Sequence, residues 1–145
     1  SRALQLAAKG RYTSAPNPSV GCVIARDDSI IGEGFTRPAG GNHGEIEALQ
    51  QASDTAGATA YVTLEPCSHQ GRTGPCADAL VAAGISRVVI ACEDPNPEVA
   101  GSGIQKLKDA GLQNSEILDL IHSIAIFAWA NRLMLNLGEP IFPSV

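Results

Sequence analysis

Residues 59–92 read TAYVTLEPCSHQGRTGPCADALVAAGISRVVIAC, and this run sets the class of the fold. Thr59 to Leu64 and Ser86 to Cys92 are short apolar segments, the second strongly β-branched, which is the pattern of buried strands. Between them Gly71 to Gly74 is a turn-rich loop and Pro75 to Ala83 carries the marks of a helix. Proline suits the first helical turn, where its missing N–H has no intrahelical acceptor, and Gly84 suits a left-handed cap just past the end. Strand, helix and strand in succession predict an α/β arrangement around a partly parallel sheet.

Outward from this run the alternation continues. Leu4, Ala7, Ala8 and Tyr12 recur at roughly helical spacing, so a helix is expected to end near Gly10. Thr13 to Ser19 is a loop in which Pro16 and Pro18 bracket Asn17. Val20 to Ala25 and Ile30 to Phe35 flank Arg26-Asp27-Asp28-Ser29, which predicts a β-hairpin. Gly40-Gly41 leads to His43, after which Ile46, Leu49 and Ala52 mark one side of a helix. Beyond Cys92, a loop from Asp94 to Gly103 precedes a helix from Ile104 to Ala110, stopped at Gly111. The expectation is a three-layer α/β/α sandwich around a mixed sheet of about five strands, forming one domain over residues 1–145.

Chemistry gathers at the boundaries of these elements. His43-Gly44-Glu45 opens one expected helix, Cys67 follows a strand, and Pro75-Cys76 opens the next helix. A catalytic zinc needs three protein ligands and one open position, which one imidazole and two thiolates supply. His43, Cys67 and Cys76 are therefore the expected ligands of one Zn2+ ion. Helix N-termini would aim N–H groups and the positive end of the dipole at the thiols, favouring thiolate at neutral pH. Glu45 would stand beside the metal without ligating it, as the catalytic acid–base. There it would take a proton from an attacking water and carry protons to a ring nitrogen and a departing amine. His-x-Glu alone recurs by chance, but joined in this order to Cys and Pro-Cys it points to a hydrolytic deaminase of a small heterocyclic amine. The alternative is a structural zinc site, which would want a fourth ligand, with His69 the nearby candidate.

Composition narrows the field further. The chain has 145 residues, 44% hydrophobic and 17% charged, enough for one core and too apolar for a disordered tail. A formal net charge of -5 argues against nucleic acid as the partner, since such surfaces are normally basic. Of the four cysteines, Cys22 and Cys92 lie in apolar runs and are expected to be small buried hydrophobes, whereas Cys67 and Cys76 flank polar, Gly-rich sequence. Reduced thiols and no signal-peptide pattern predict a cytoplasmic protein. Ile117 to Leu137 approaches membrane-spanning length, but Asp119, His122, Asn131, Arg132 and Asn136 would be costly in lipid, so a buried or interface helix is expected.

Several segments together resemble one family: Pro16-Asn17-Pro18-Ser19-Val20-Gly21, His43-Gly44-Glu45, TLEPCSHQGRTGPC from Thr63 to Cys76, Asp94-Pro95-Asn96-Pro97 and Val99-Ala100-Gly101. The chain resembles the cytidine-deaminase-like zinc deaminases and, within them, the pyrimidine deaminases of riboflavin biosynthesis, over its length to about Gly111. The nucleoside, tRNA and free-base members have a Cys-x-x-Cys spacing, whereas eight residues separate Cys67 from Cys76 here. That longer insert is similar to the riboflavin enzymes. The resemblance implies a cytidine-deaminase-like sandwich, substrate contacts at Asn17, His69 and Arg72, and a phosphorylated aminopyrimidine as substrate. Arg72 has a fork of donors suited to phosphate oxygens. The reaction implied is hydrolysis of 2,5-diamino-6-(5-phosphoribosylamino)pyrimidin-4-one to the corresponding uracil. It also implies a homo-oligomer, and a reductase, fused in many bacteria, whose step is not expected of this chain.

Three positions depart from the family pattern. Gly44 replaces the usual alanine of His-Ala-Glu, which is expected to loosen the first helical turn. Thr36 stands where a substrate-contacting histidine is common, and Ser102 where a basic residue is usual. Two other readings therefore stay open: a deaminase of an unphosphorylated base or nucleoside, and a non-catalytic zinc-binding module docking through the apolar segment after Ile117.

Overall fold

The β1–β2 hairpin anchors the architecture of the computed structural model, which describes residues 1–71, 74–97 and 99–112. Strand β1 (Gly21–Arg26) and strand β2 (Ser29–Phe35) pair antiparallel from Gly21↔Phe35 to Arg26↔Ser29, with an irregularity between Ile24 and Ala25. Asp27 and Asp28 both take positive φ, 46° and 64°, the twist a two-residue hairpin turn requires. Before the hairpin comes helix α1 (Arg2–Gly10); after it come helix α2 (Gly44–Gln51), strand β3 (Thr59–Val62) and helix α3 (Cys76–Ala82). Strand β4 (Arg87–Ile90) and helix α4 (Ser102–Asp109) complete the described residues. The strand order is β2-β1-β3-β4, with β1–β3 antiparallel and β3–β4 parallel, so the sheet is mixed as expected. Among the described residues it has four strands, against about five expected.

The three layers follow from strand alternation. In β1, Val23 points to one face, where it joins Ala3 and Leu6 of α1 and the edge of Phe35. Cys22 and Ile24 point to the other face, into a core with Ala48 of α2, Leu80 of α3, Val88 and Ile90 of β4, and Ile104 and Leu107 of α4. Ile24, Leu80, Ile90 and Leu107 are fully buried, each contributing about 1.5–3 kcal/mol of hydrophobic stabilisation. Helix α2 lies directly on β2 because Gly34 has no side chain: a Cβ there would be 2.5 Å from the Ala48 nitrogen and 2.7 Å from Glu47 Cβ. That contact fixes where the N-terminus of α2, and with it His43, meets the sheet.

Two expectations on burial divide. Cys22 is wholly buried, and burial pushes its thiol well above the usual range. Cys92 is exposed instead, because β4 ends at Ile90 and leaves Cys92 in the following loop, its Sγ 3.2 Å from the Glu93 carbonyl oxygen. Strand β3 is also not buried throughout: Tyr61, paired with Val23 on the α1 face, is 40% exposed. The apolar segment after Ile117 lies outside the described residues. No helix among those described is long and apolar enough to cross a membrane.

Candidate metal centre

Three element ends converge at one end of the sheet. His43 stands at the N-cap of α2 with extended backbone (φ -73°, ψ 160°), which turns its ring out of the helix. Cys67 lies in the loop after β3, and Cys76 is the first residue of α3, capped by Pro75. The His43 Nδ1 is 3.6 Å from Cys67 Sγ and 3.4 Å from Cys76 Sγ. The Cys76 backbone N–H donates to Cys67 Sγ at 3.3 Å, as the helix N-terminus reading anticipated.

The ligand atoms of His43, Cys67 and Cys76 all lie within 4.8 Å of one another. One imidazole nitrogen and two sulfurs in such a cluster are the donor set of an open zinc site. Among the described residues His69 does not join this group, so the closed four-ligand alternative finds no fourth donor there. Hydrogen bonds from the Cys76 side chain, the His43 ring and the Cys76 backbone hold the Cys67 thiol well below its usual range. The same contact to Cys67, with burial, pushes Cys76 up, and the bond to Cys67 raises His43.

Glu45 occupies the first turn of α2, 2% exposed, and its Oε2 has no hydrogen-bond partner. Burial, reinforced by the charge of Cys67, pushes its carboxyl up to about 7. A buried, unpartnered carboxyl oxygen beside a cluster of metal donors is costly unless a cation or a reacting group faces it. Gly44 has a reason beyond helix propensity: a Cβ there would lie 2.7 Å from the Val20 carbonyl oxygen. Beside the helix-propensity cost expected of glycine, the position thus has a close backbone approach to the Val20 carbonyl.

A cavity of about 330 Å³ opens on the cluster, lined by Asn17, Gly40, Gly41, His43, Cys67 and His69 among others. A smaller one of about 100 Å³ behind it reaches Thr36, Glu45, Glu65 and Asp94, and Asn17, His43, Cys67 and His69 line both. Asn17 and His69 thus stand at the mouth of the metal cluster, while Arg72 lies outside the described residues. Sequence reasoning assigned no role to Glu65, Asp94 or the wall formed by Thr36. Thr36 is buried at 1% exposure and its Oγ1 accepts the Val20 N–H at 3.0 Å, so its hydroxyl serves the β1–β2 junction.

Comparison with known proteins agrees with this geometry. The family description "cytidine and deoxycytidylate deaminase zinc-binding region" matches residues 1–92. The chain is 59% identical over 115 residues to the riboflavin biosynthesis protein RibD of Escherichia coli (strain K12), covering 79% of this chain and 31% of that protein. It is 54% identical over 112 residues to the diaminohydroxyphosphoribosylamino-pyrimidine deaminase of Buchnera aphidicola subsp. Acyrthosiphon pisum, covering 77% of this chain and 76% of the relative. A crystal structure of a diaminohydroxyphosphoribosylaminopyrimidine deaminase/5-amino-6-(5-phosphoribosylamino)uracil reductase from Thermotoga maritima superposes with a TM-score of 0.73 at 40% identity, over 90% of this chain and 40% of that one. The chain therefore spans less than half the length of the E. coli and Thermotoga relatives.

Proposed function

The chain belongs to the cytidine and deoxycytidylate deaminase family, and from that premise we propose that it deaminates 2,5-diamino-6-(5-phosphoribosylamino)pyrimidin-4-one hydrolytically to 5-amino-6-(5-phosphoribosylamino)uracil. The observation that carries the proposal is the pairing of the His43, Cys67 and Cys76 donor cluster with the unpartnered Glu45 Oε2 at the floor of an open cavity. The substrate is supported by the Buchnera deaminase, most of whose length the chain matches.

His43, Cys67 and Cys76 would hold the zinc ion. When bound, zinc would supply the Lewis acidity that makes hydroxide available near neutral pH. Glu45 Oε2 takes the proton of the attacking water, a transfer suited to a carboxyl held near 7. The same oxygen gives that proton to the ring nitrogen, then takes the second proton from the hydroxyl added at the carbon and gives it to the departing amine, so that one water enters and one ammonia leaves. The low-dielectric pocket that isolates Glu45 keeps bulk water from competing for those protons. Asn17 and His69, which line the cavity mouth, are proposed to contact the substrate. Arg72 is proposed as the phosphate partner on the strength of its place in the long Cys67–Cys76 insert.

We place this chemistry in the cytoplasm, a compartment that keeps both thiols reduced, with a reductase, fused or separate, to take the product onward. Ammonia release from the phosphorylated diaminopyrimidine by purified protein tests the proposal. Glu45→Gln should abolish release while zinc is retained, and full activity of that variant would refute the mechanism. Equal turnover of the substrate without its phosphate would move the assignment to an unphosphorylated base or nucleoside.

A further inference from the structure

We infer that Glu65 is a positioning residue for the metal centre, locking the Cys67 loop to the start of α4 by accepting four backbone N–H groups. The residue is 3% exposed, and among the described residues none of the ion pairs involves it. Oε2 accepts from Asp94 N at 3.1 Å and Gly101 N at 3.0 Å. Oε1 accepts from Gly103 N at 2.7 Å and Ile104 N at 3.1 Å. A buried carboxylate is normally costly; four charge-assisted bonds and the positive end of a helix offset that cost.

Helix α4 has no cap of its own. Its N-cap is Gly101, in the left-handed region at φ 79°, with no side chain to turn back on the first N–H groups. Glu65 supplies the cap from the loop that follows β3. The backbone continues the lock on both sides of the cysteine. Glu65 N–H donates to the Cys92 carbonyl at 2.8 Å, and Gly103 packs so closely on Pro66 that a Cβ would lie 3.2 Å from Glu65 Cγ and overlap the Pro66 carbonyl. Past the cysteine, Ser68 Oγ meets Ser102 Oγ at 2.7 Å, and the Ser68 carbonyl accepts from Lys106 Nζ at 3.3 Å. Cys67 is thus suspended between two points of attachment to α4, and of these only Glu65 is buried. Groups that orient metal ligands typically matter about 10- to 100-fold in metal affinity.

The inference rests on the metal-site reading above, and its test is separable from the choice of substrate. In the full chain, Glu65→Gln keeps the shape but places an amide NH2 against N–H donors, so one oxygen's pair of accepted bonds is lost. Zinc affinity is measured by chelator competition, and ligand geometry by the thiolate charge-transfer bands of the cobalt-substituted protein, with far-UV circular dichroism to verify the fold. The expected result is a fall in zinc affinity of about 10- to 100-fold with shifted cobalt bands. Ile104→Val, which loosens α4 in the core without touching the carboxylate, should leave both at the parent level. If Glu65→Gln does not fold, Glu65→Asp, whose carboxylate is drawn back by one methylene, should show the same changes at smaller amplitude. Parent-like affinity and cobalt spectrum in a folded Glu65 variant would overturn the inference, as would an equal loss in Ile104→Val. Failure of both Glu65 variants to fold would assign Glu65 to the fold alone and overturn it too. A parent that binds zinc but releases no ammonia would defeat the proposed substrate while leaving the metal readouts to decide Glu65.

Discussion

On the β2–α2 side of the site, His43 and Glu45 are placed by backbone lying against backbone. Gly34 and Gly44 let the helix rest on the strands with no side chain between, and Glu45 Oε2 is left without a hydrogen-bond partner. On the β3–α3–α4 side, Cys67 and Cys76 are placed by hydrogen bonds: the Glu65 carboxylate, the Ser68–Ser102 contact and the Cys76 N–H on Cys67 Sγ. The difference matches the chemistry asked of each side. A proton carrier must keep a free oxygen, so its position has to come from steric packing. Metal ligands are acceptors with capacity to spare, so their loop can be fixed by donors without blocking function.

The sharpest way to break this comparison is to remove one donor from each side. Cys76→Ala should abolish tight zinc binding and ammonia release together, since two donors cannot hold the ion. Glu45→Gln should instead keep zinc and lose about 10²- to 10⁴-fold in kcat. Metal content measured beside the rate separates the two outcomes. A Glu45→Gln protein without zinc would mean that the carboxyl is a ligand and the two sides are not distinct.

A second test uses pH. In metal-free protein the Glu45 carboxyl, pushed up to about 7 from 4.5 by burial, keeps a proton that the unfolded chain has released. At this group the folded state therefore binds more protons than the unfolded one between those values, and its contribution to stability falls as pH rises through that window. The stabilisation is fully present below pH 4.5 and lost once pH passes about 7, an effect on the order of 3 kcal/mol. Cys67, held below its usual range, acts with the opposite sign over the same window, so the Glu45 contribution is read as a difference: from pH 5 to pH 8 the urea midpoint of chelator-treated parent should fall relative to that of Glu45→Gln. Bound zinc, by favouring the carboxylate, should move the loss away from neutral pH.

Steric placement predicts a smaller, specific penalty. Gly34→Ala puts a methyl group into the α2 backbone and should cost about 1–3 kcal/mol by overpacking. It should also lower kcat more than it lowers zinc affinity, because His43 has two sulfur partners to recentre it and Glu45 Oε2 has none. Equal losses in both would show that the helix moves as one body with the metal.

The sequence carried much of this. Periodicity and turn residues marked all eight described elements within a residue or two, because each has an apolar pattern closed by glycine, proline or aspartate. The donor cluster was legible because His43, Cys67 and Cys76 stand at element boundaries. The clamp was not: Glu65 lies inside the quoted Thr63–Cys76 run, yet its partners are backbone N–H groups of residues 94 to 104, which leave no trace in side-chain identity. The close approach at Gly44 was not legible for the same reason, since helix propensity is local and the Val20 carbonyl is distant in sequence. Cys92 was misplaced because strand β4 ends two residues before it.

The smallest expected effect is also a discriminating one. Lys106 Nζ bonds Asp78 Oδ2 at 2.8 Å and the Ser68 carbonyl at 3.3 Å, so it resembles a brace on the Cys67–Cys76 loop. Its side chain is 37% exposed and that of Asp78 54%, and ion pairs in such surroundings contribute about 0–1 kcal/mol. Lys106→Ala should therefore cost under about 1 kcal/mol in urea unfolding, less still in high salt, and leave zinc affinity unchanged. The buried carboxylate and the exposed ammonium grip the same loop from its two sides, but only the first is shielded from solvent. Were Lys106→Ala to weaken zinc as strongly as Glu65→Gln, burial would not be what separates a positioning group from a surface tie, and the contrast between the two sides of the site would have to be redrawn around α4 as a whole.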